Sequence, residues 1–223
     1  LLNNDHVYMS VSPGISTTIV VKYNDYNRKI LIDPKSFTAA GVNTTTNAIT
    51  ITNHGYVTGD KIIHTASIPC GGLDNNGTYY IVKVDENTIK LSDTYHDSVE
   101  EKPPIVGIAT TGGGGTINPI NPPIKLYKDC TAVFDVSDSS LSYVNQSTDY
   151  SAFKLTFYRD QNFTKIWDTS TLSKDFNVVR NGAPGITTNA NVTLTVTEDI
   201  PNELYYKLDP IYDSNLPDVK KEV

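Results

Sequence analysis

Gly71-Gly-Leu-Asp-Asn-Asn-Gly-Thr-Tyr-Tyr-Ile-Val-Lys-Val-Asp-Glu-Asn-Thr-Ile-Lys-Leu91 spells a complete hairpin in its residue types. Asn76-Gly77 favours a tight reversal, because both residues accept positive φ. Tyr79-Tyr-Ile-Val-Lys-Val84 is aromatic and β-branched, which suits a pleated surface. Asp85-Glu86-Asn87 turns the chain and Thr88-Ile-Lys-Leu91 returns it. Just upstream, Ala48-Ile-Thr-Ile-Thr52 alternates apolar and polar, as a half-buried strand does. Gly55 and Gly59 bracket a turn over 53–60, and Lys61 to Ala66 reads as a further strand. Short strands at this density predict a small SH3-like β-barrel or roll over residues 41–98.

On the N-terminal side, residues 15–23 form a β-branched strand and Ile30-Leu31-Ile32 a short return strand. Asp33-Pro34 ends it, since proline cannot donate to a ladder. Residues 1–40 are therefore read as N-terminal strands. A short apolar run over 105–108 could rejoin that sheet. In that arrangement 1–40 and 99–111 form one unit and 41–98 is inserted into it; a simple linear order is the alternative. Gly112 to Gly115 and the prolines at 119, 122 and 123 read as a Gly/Pro linker over 112–123.

Beyond the linker the spacing changes. Strand candidates occur at 130–136, 152–158, 163–167, 176–179, 192–196 and 204–208. Phe153, Leu155 and Phe157 share one face, and Val192-Thr-Leu-Thr-Val196 alternates throughout. Strands at this regular spacing predict an immunoglobulin-like β-sandwich over 124–212. Residues 213–223 are polar and read as a flexible tail. The expected fold is all-β throughout, with no helical periodicity of useful length.

Composition removes several function classes. The chain has 223 residues, 14 Tyr and 14 Gly but only 1 Met and 1 Trp. Its net charge is −7 with 18 Lys+Arg and no dense basic cluster, so binding nucleic acid through phosphate neutralisation is not expected. The sequence contains no run of about 18 apolar residues, and no membrane insertion is expected. Met9 is the only methionine and the chain opens Leu1-Leu2-Asn3-Asn4, which reads as an excerpt of a longer polypeptide. Cys70 and Cys130 stand 60 positions apart, and buried free thiols are the simpler reading.

Chemistry-bearing patterns are sparse. His6, His54, His64 and His96 show no zinc-ligand spacing, and His54 before Gly55 reads as a turn residue satisfied by nearby backbone. Asp93, His96 and Asp97 lack the regular oxygen spacing of a calcium loop, as do Asp135, Asp138, Glu198 and Asp199. A nucleophile elbow is missing, and the glycine run is not followed by the Lys-Ser/Thr of a phosphate loop. No catalytic residue, metal ligand or cofactor is assigned, and the chain is read as a non-enzyme. The tyrosines alone suggest recognition, because Tyr joins a large apolar face to a polar tip. Tyr79, Tyr80, Tyr95, Tyr205 and Tyr206 are the candidate surface residues, with one of each strand pair facing inward.

The stretch from Ile49 to Asp60, followed by Gly71 to Leu91, resembles a module of very large virion structural proteins in marine T4-like bacteriophages. Phe157-Tyr-Arg-Asp-Gln-Asn-Phe163, Phe176-Asn-Val-Val-Arg-Asn-Gly-Ala-Pro-Gly185 and Pro201-Asn-Glu-Leu-Tyr-Tyr-Lys-Leu208 resemble a partner module in the same proteins. These are turn-and-strand signatures with no catalytic residue to carry over. The resemblance implies a tail, baseplate or fibre-associated virion protein that works in particle assembly or host attachment. Its partners would be other virion proteins, and its location the virion. The alternative is an adhesin module, phage or bacterial, that binds a host surface glycan.

Overall fold

A computed structural model describes residues 9–11, 16–167, 178–197, 200–211 and 213–221. Among the sequence expectations, Ile15, Phe176, Asn177, Glu198, Asp199, Tyr212 and His6 lie outside the described residues. Strand accounts for 43% of the chain and helix for 6%, so the fold is all-β, with several sheets and no closed barrel. The chain divides into two units: Leu1–Met9 with Leu31–Pro123, and Ser10–Ile30 with Ile124–Val223.

The first unit is a seven-stranded sheet in the order Lys35–Phe37, Gly115–Pro119, Lys61–Thr65, Gly77–Lys83, Thr88–Ser92, Ala48–Thr50, Val42–Asn43. All neighbours are antiparallel. Seven flat strands would hold the two outer ones about 29 Å apart. Yet only residues 38–41 join those outer strands, a reach of about 18 Å at most. The sheet must therefore curl into an open roll, whose ends are linked by a 3-10 turn over Ala39–Gly41. The predicted hairpin sits at its centre, with Ile81 opposite Leu91 and Lys83 opposite Ile89.

The interior of the roll follows the alternation read in the sequence. Ile49, Ile62, Tyr79, Ile81, Ile89 and Leu91 point into one core, with Phe37, Tyr56 and Ile117. Truncating a fully buried isoleucine here to alanine would cost about 2–5 kcal/mol in lost burial and residual cavity.

Three expectations for this unit need correction. Residues 112–123 are not a linker, because Gly115–Pro119 is a sheet strand held between Lys35–Phe37 and Lys61–Thr65. Residues 105–108 form no strand with 15–32. Their backbone bonds to Leu91 and to the Asn47 side chain, and Ile108 is buried in this unit's core. Nor do 41–98 make the unit alone: the edge strand 35–37 and the inner strand 115–119 come from outside that range. The physical reason is that a glycine-rich stretch is equally compatible with a flexible connection and with a chain that approaches its neighbours too closely for a side chain at the glycines, as at Gly112, Gly114 and Gly115.

The second unit places Val178–Asn181, Asn191–Thr195, Thr131–Asp135, Ser16–Asn24 and Lys29–Ile32 in one sheet, in that order. Phe153–Tyr158 pairs with Tyr205–Pro210, and Ser142–Asn145 with Thr148–Ser151. Phe134 meets Phe157 edge-on at 5.4 Å, and Tyr23 meets Phe153 at 4.6 Å, so the layers pack face to face as a sandwich.

The sandwich is not built from 124–212 alone. Ser16–Asn24 lies parallel beside Thr131–Asp135 and sends Ile19, Val21 and Tyr23 into the core. Parallel neighbours require a long crossover, and here residues 31–123 provide it. The first 40 residues are therefore divided between the two units. The expected flexible tail also contributes buried groups, Leu216 and Lys220.

Candidate functional site

The five candidate tyrosines do not form one surface. Tyr79 is a core residue, 6% exposed, whose hydroxyl oxygen accepts the Asp74 N–H at 2.8 Å. Burial pushes its phenol up from the ordinary value. Its strand neighbour Tyr80 faces the opposite side, half-buried. Tyr95 opens the single helical turn Tyr95–Ser98, capped by Thr94 Oγ1 accepting from the Asp97 N–H. The Tyr95 ring, 55% exposed, lies across Gly59, where a Cβ would fall 2.9 Å from Tyr95 Cε2. Tyr80 and Tyr95 meet edge-on at 6.2 Å, with the Lys61 ammonium 5.9 Å over Tyr80. Lys61 was not a sequence candidate; only the register that sets it opposite Tyr80 reveals it.

Tyr205 and Tyr206 lie in the other unit. Tyr205 donates to the Glu203 carboxylate at 3.2 Å, and that bond raises its phenol. Tyr206 is opposite Phe157 and half-buried, and burial pushes its phenol up strongly.

His54 and His64 are structural. His54 Nδ1 accepts the Tyr56 N–H at 2.9 Å, so the ring proton sits on Nε2 and is donated to the Asp85 carbonyl at 2.9 Å. The ring stacks on Tyr56 at 5.4 Å. His64 is fully buried, and its Nδ1 bonds the Asp74 carbonyl at 3.0 Å while Nε2 has no partner among the described residues. Burial lowers both imidazoles below the ordinary value. His96 is exposed and lies 3.3 Å from Glu100. Among the described residues no group of three or more His, Cys, Asp or Glu gathers where it could hold a metal. Cys70 and Cys130 are free and buried.

A feature that the sequence did not signal is an open groove of about 680 Å³ in the first unit. It runs past Thr65, Ser67 and Ile68, the turn at Asn75 and Asn76, and the strip Gly113–Gly115 with Thr116. Gly112, Gly114 and Gly115 are required by contact with the chain alongside. At Gly112 a Cβ would come within 2.6 Å of the Ile68 and Pro69 carbonyls, and at Gly114 within 2.5 Å of the Phe37 carbonyl. Both also have positive φ. Sequence reading missed the groove because its walls are separated by about 40 positions in the chain, from 65–76 to 113–116.

Comparisons of the chain with protein-family models, with curated proteins and with solved structures find no match.

Proposed function

We propose that this chain is a non-enzymatic structural module of a bacteriophage virion, in a tail, baseplate or fibre-associated position, working in particle assembly or host attachment. The observation that carries this reading is where the residues of the phage-like stretches are used. Gly55 and Gly59 occupy left-handed turns, His54 is locked between two backbone groups, and Asn75 and Asn76 turn the chain so that the Gly77 N–H bonds back to the Asp74 carbonyl. Tyr79, Ile81, Ile89 and Leu91 fill the core. The stretches thus serve architecture, which is what a family of turn-and-strand signatures needs from them. Short-looped β units in series also suit a particle that must stay folded outside a cell. Other virion proteins would be its partners.

The test is mass spectrometry of gradient-purified phage particles from a culture that carries the gene. Peptides of this chain should copurify with tail proteins at constant ratio. Finding them only in the soluble cell fraction would overturn the proposal. The second reading, a glycan- or cell-surface-binding adhesin, is favoured by the exposed Tyr95 ring against half-buried Tyr80 beside Lys61. It expects binding to immobilised host glycans that a Tyr95→Ala variant loses.

A further inference from the structure

The groove beside the Gly113–Gly115 strip is walled entirely by uncharged groups. The protein has 18 Lys+Arg and 25 Asp+Glu, yet none of the ten residues lining the groove is among them. Three hydroxyls, from Thr65, Ser67 and Thr116, and two amides, from Asn75 and Asn76, line it instead. An ionic ligand would find no counter-charge there. A purely apolar ligand would strip water from hydroxyls and amides without replacing their hydrogen bonds.

Several of these groups are fixed by the fold with hydrogen-bonding capacity to spare. Thr65 Oγ1 accepts from Asn118 Nδ2 at 3.0 Å, which leaves its own O–H to donate. Asn75 Oδ1 accepts the Ala66 N–H at 3.0 Å, which orients the amide, and Nδ2 has no acceptor among the described residues. The Ser67 hydroxyl makes no hydrogen bond among the described residues. Ile68, 66% exposed, adds an apolar face next to these polar groups. Fixed donors, neutral acceptors and one aliphatic face suit a ring with hydroxyls at its edge and C–H bonds on its face.

We infer that this groove binds a neutral oligosaccharide, with Thr65, Ser67 and Asn75 on sugar hydroxyls and Ile68 against the ring. The inference goes beyond the virion reading and does not depend on it. It also differs from a tyrosine platform, because Tyr80 and Tyr95 are not among the groove residues. An open groove with few anchors implies modest affinity, around the millimolar range for a short oligosaccharide.

The experiment is a titration of the isotope-labelled full chain, followed by amide NMR, with maltohexaose, cellohexaose and mannohexaose. A hexamer of polygalacturonate serves as the charged comparison. At least one neutral hexaose at about 5 mM should shift the resonances of 65–68, 75–76 and 113–116, while the charged hexamer should leave them unmoved. Ser67→Ala should weaken binding about three- to tenfold, the effect of one lost hydrogen bond. Ser67→Trp should abolish binding by filling the groove. Ser67 is exposed, so both variants should keep the parent spectrum elsewhere, and Tyr95→Ala should bind as the parent does.

Silence of these resonances with all three neutral hexaoses would overturn the inference. So would shifts confined to Tyr80, Lys61 and Tyr95, an outcome that would leave the adhesin reading standing. Absence of the chain from purified particles would count against the virion reading and leave the groove untouched.

Discussion

At the scale of single residues, the two buried imidazoles link this fold to pH. Each is held neutral by burial, so each has a lower pKa in the folded chain than in the unfolded chain, where it is about 6.5. Below that value the unfolded state binds protons that the folded state refuses, and stability falls as the pH falls. The contribution is complete above pH 6.5 and is lost from there down toward the depressed folded values. Asp60 acts in the opposite sense, since burial raises its carboxyl. Thermal melts of the first unit should therefore decline between pH 7 and 5. Paired His54→Gln and His64→Gln substitutions should flatten that slope whatever they do to the melting temperature itself; an unchanged slope would refute the assignment. Sequence alone identified His54 as a turn residue satisfied by backbone, because the Gly beside it announces a turn. His64 gave no such cue, since its burial depends on Phe37 stacking on it from a distant strand. A second residue-scale prediction concerns Gly72, at φ +96, where a Cβ would lie 2.0 Å from the Gly107 carbonyl oxygen. Gly72→Ala combines backbone strain with a backbone clash, and should cost more than about 2 kcal/mol in denaturant unfolding. Gly55→Ala, with φ +73 but nothing within 4 Å, should cost about 1 kcal/mol. Equal losses at the two sites would show that the Gly107 contact is not tight.

At the scale of elements, the hairpin of Gly77–Lys83 with Thr88–Ser92 was legible because its turn residues, alternation and aromatic content all agree. The strand Gly115–Pro119 was not legible. Four glycines and three nearby prolines are the composition of a connector, and what makes this stretch a strand lies elsewhere in the chain. Gly115 sits where a Cβ would meet the Thr65 carbonyl at 2.8 Å and His64 Nε2 at 2.9 Å, so the strand depends on having no side chain at its first position. Asn118, 4% exposed, then gives its amide to the Ile63 carbonyl and Thr65 Oγ1, joining the strand to its neighbour by side chain as well as backbone. Limited proteolysis tells a packed strand from a connector. Cleavage within 112–119 should be no faster than within the central hairpin, because both need the roll to open. Rapid cutting at 112–115 in an otherwise intact chain would restore the linker reading. Asn118→Ala leaves the Ile63 carbonyl without its side-chain donor. It should lower stability by about 1–3 kcal/mol and raise the cutting rate at this strand selectively.

At the scale of the whole molecule, the sandwich signature over 124–212 was readable as a set of alternating strands, but its completeness was not. No property of residues 16–24 says which sheet they join, since a β-branched strand fits any. The parallel seat beside Thr131–Asp135 is decided by packing of Ile19, Val21 and Tyr23, across a separation of more than 100 positions. Lys220 strengthens that link from the other end of the chain. Its ammonium donates to the Ser140 carbonyl at 2.6 Å, pairs with Asp25 at 2.8 Å and lies 5.2 Å over the Tyr23 ring. Asp25 is half exposed, so the ion pair itself adds little, and the buried carbonyl bond and ring contact carry most of the effect. Lys220→Ala should therefore cost about 1–2 kcal/mol, measured on the second unit's transition and not on the first. The same topology makes a stronger prediction for fragments. Residues 31–123 hold all seven strands of the roll and should fold alone, with a cooperative melt and dispersed amide resonances. Residues 124–223 alone lack an interior strand of their sheet and should not, because Phe134 and Phe153 would lose their cover and Thr131–Asp135 its parallel neighbour, becoming an open edge. Joining residues 10–30 to 124–223 through a flexible linker should recover cooperative folding. If the C-terminal fragment melts cooperatively without residues 10–30, the parallel strand is an accessory and the sandwich is complete without it.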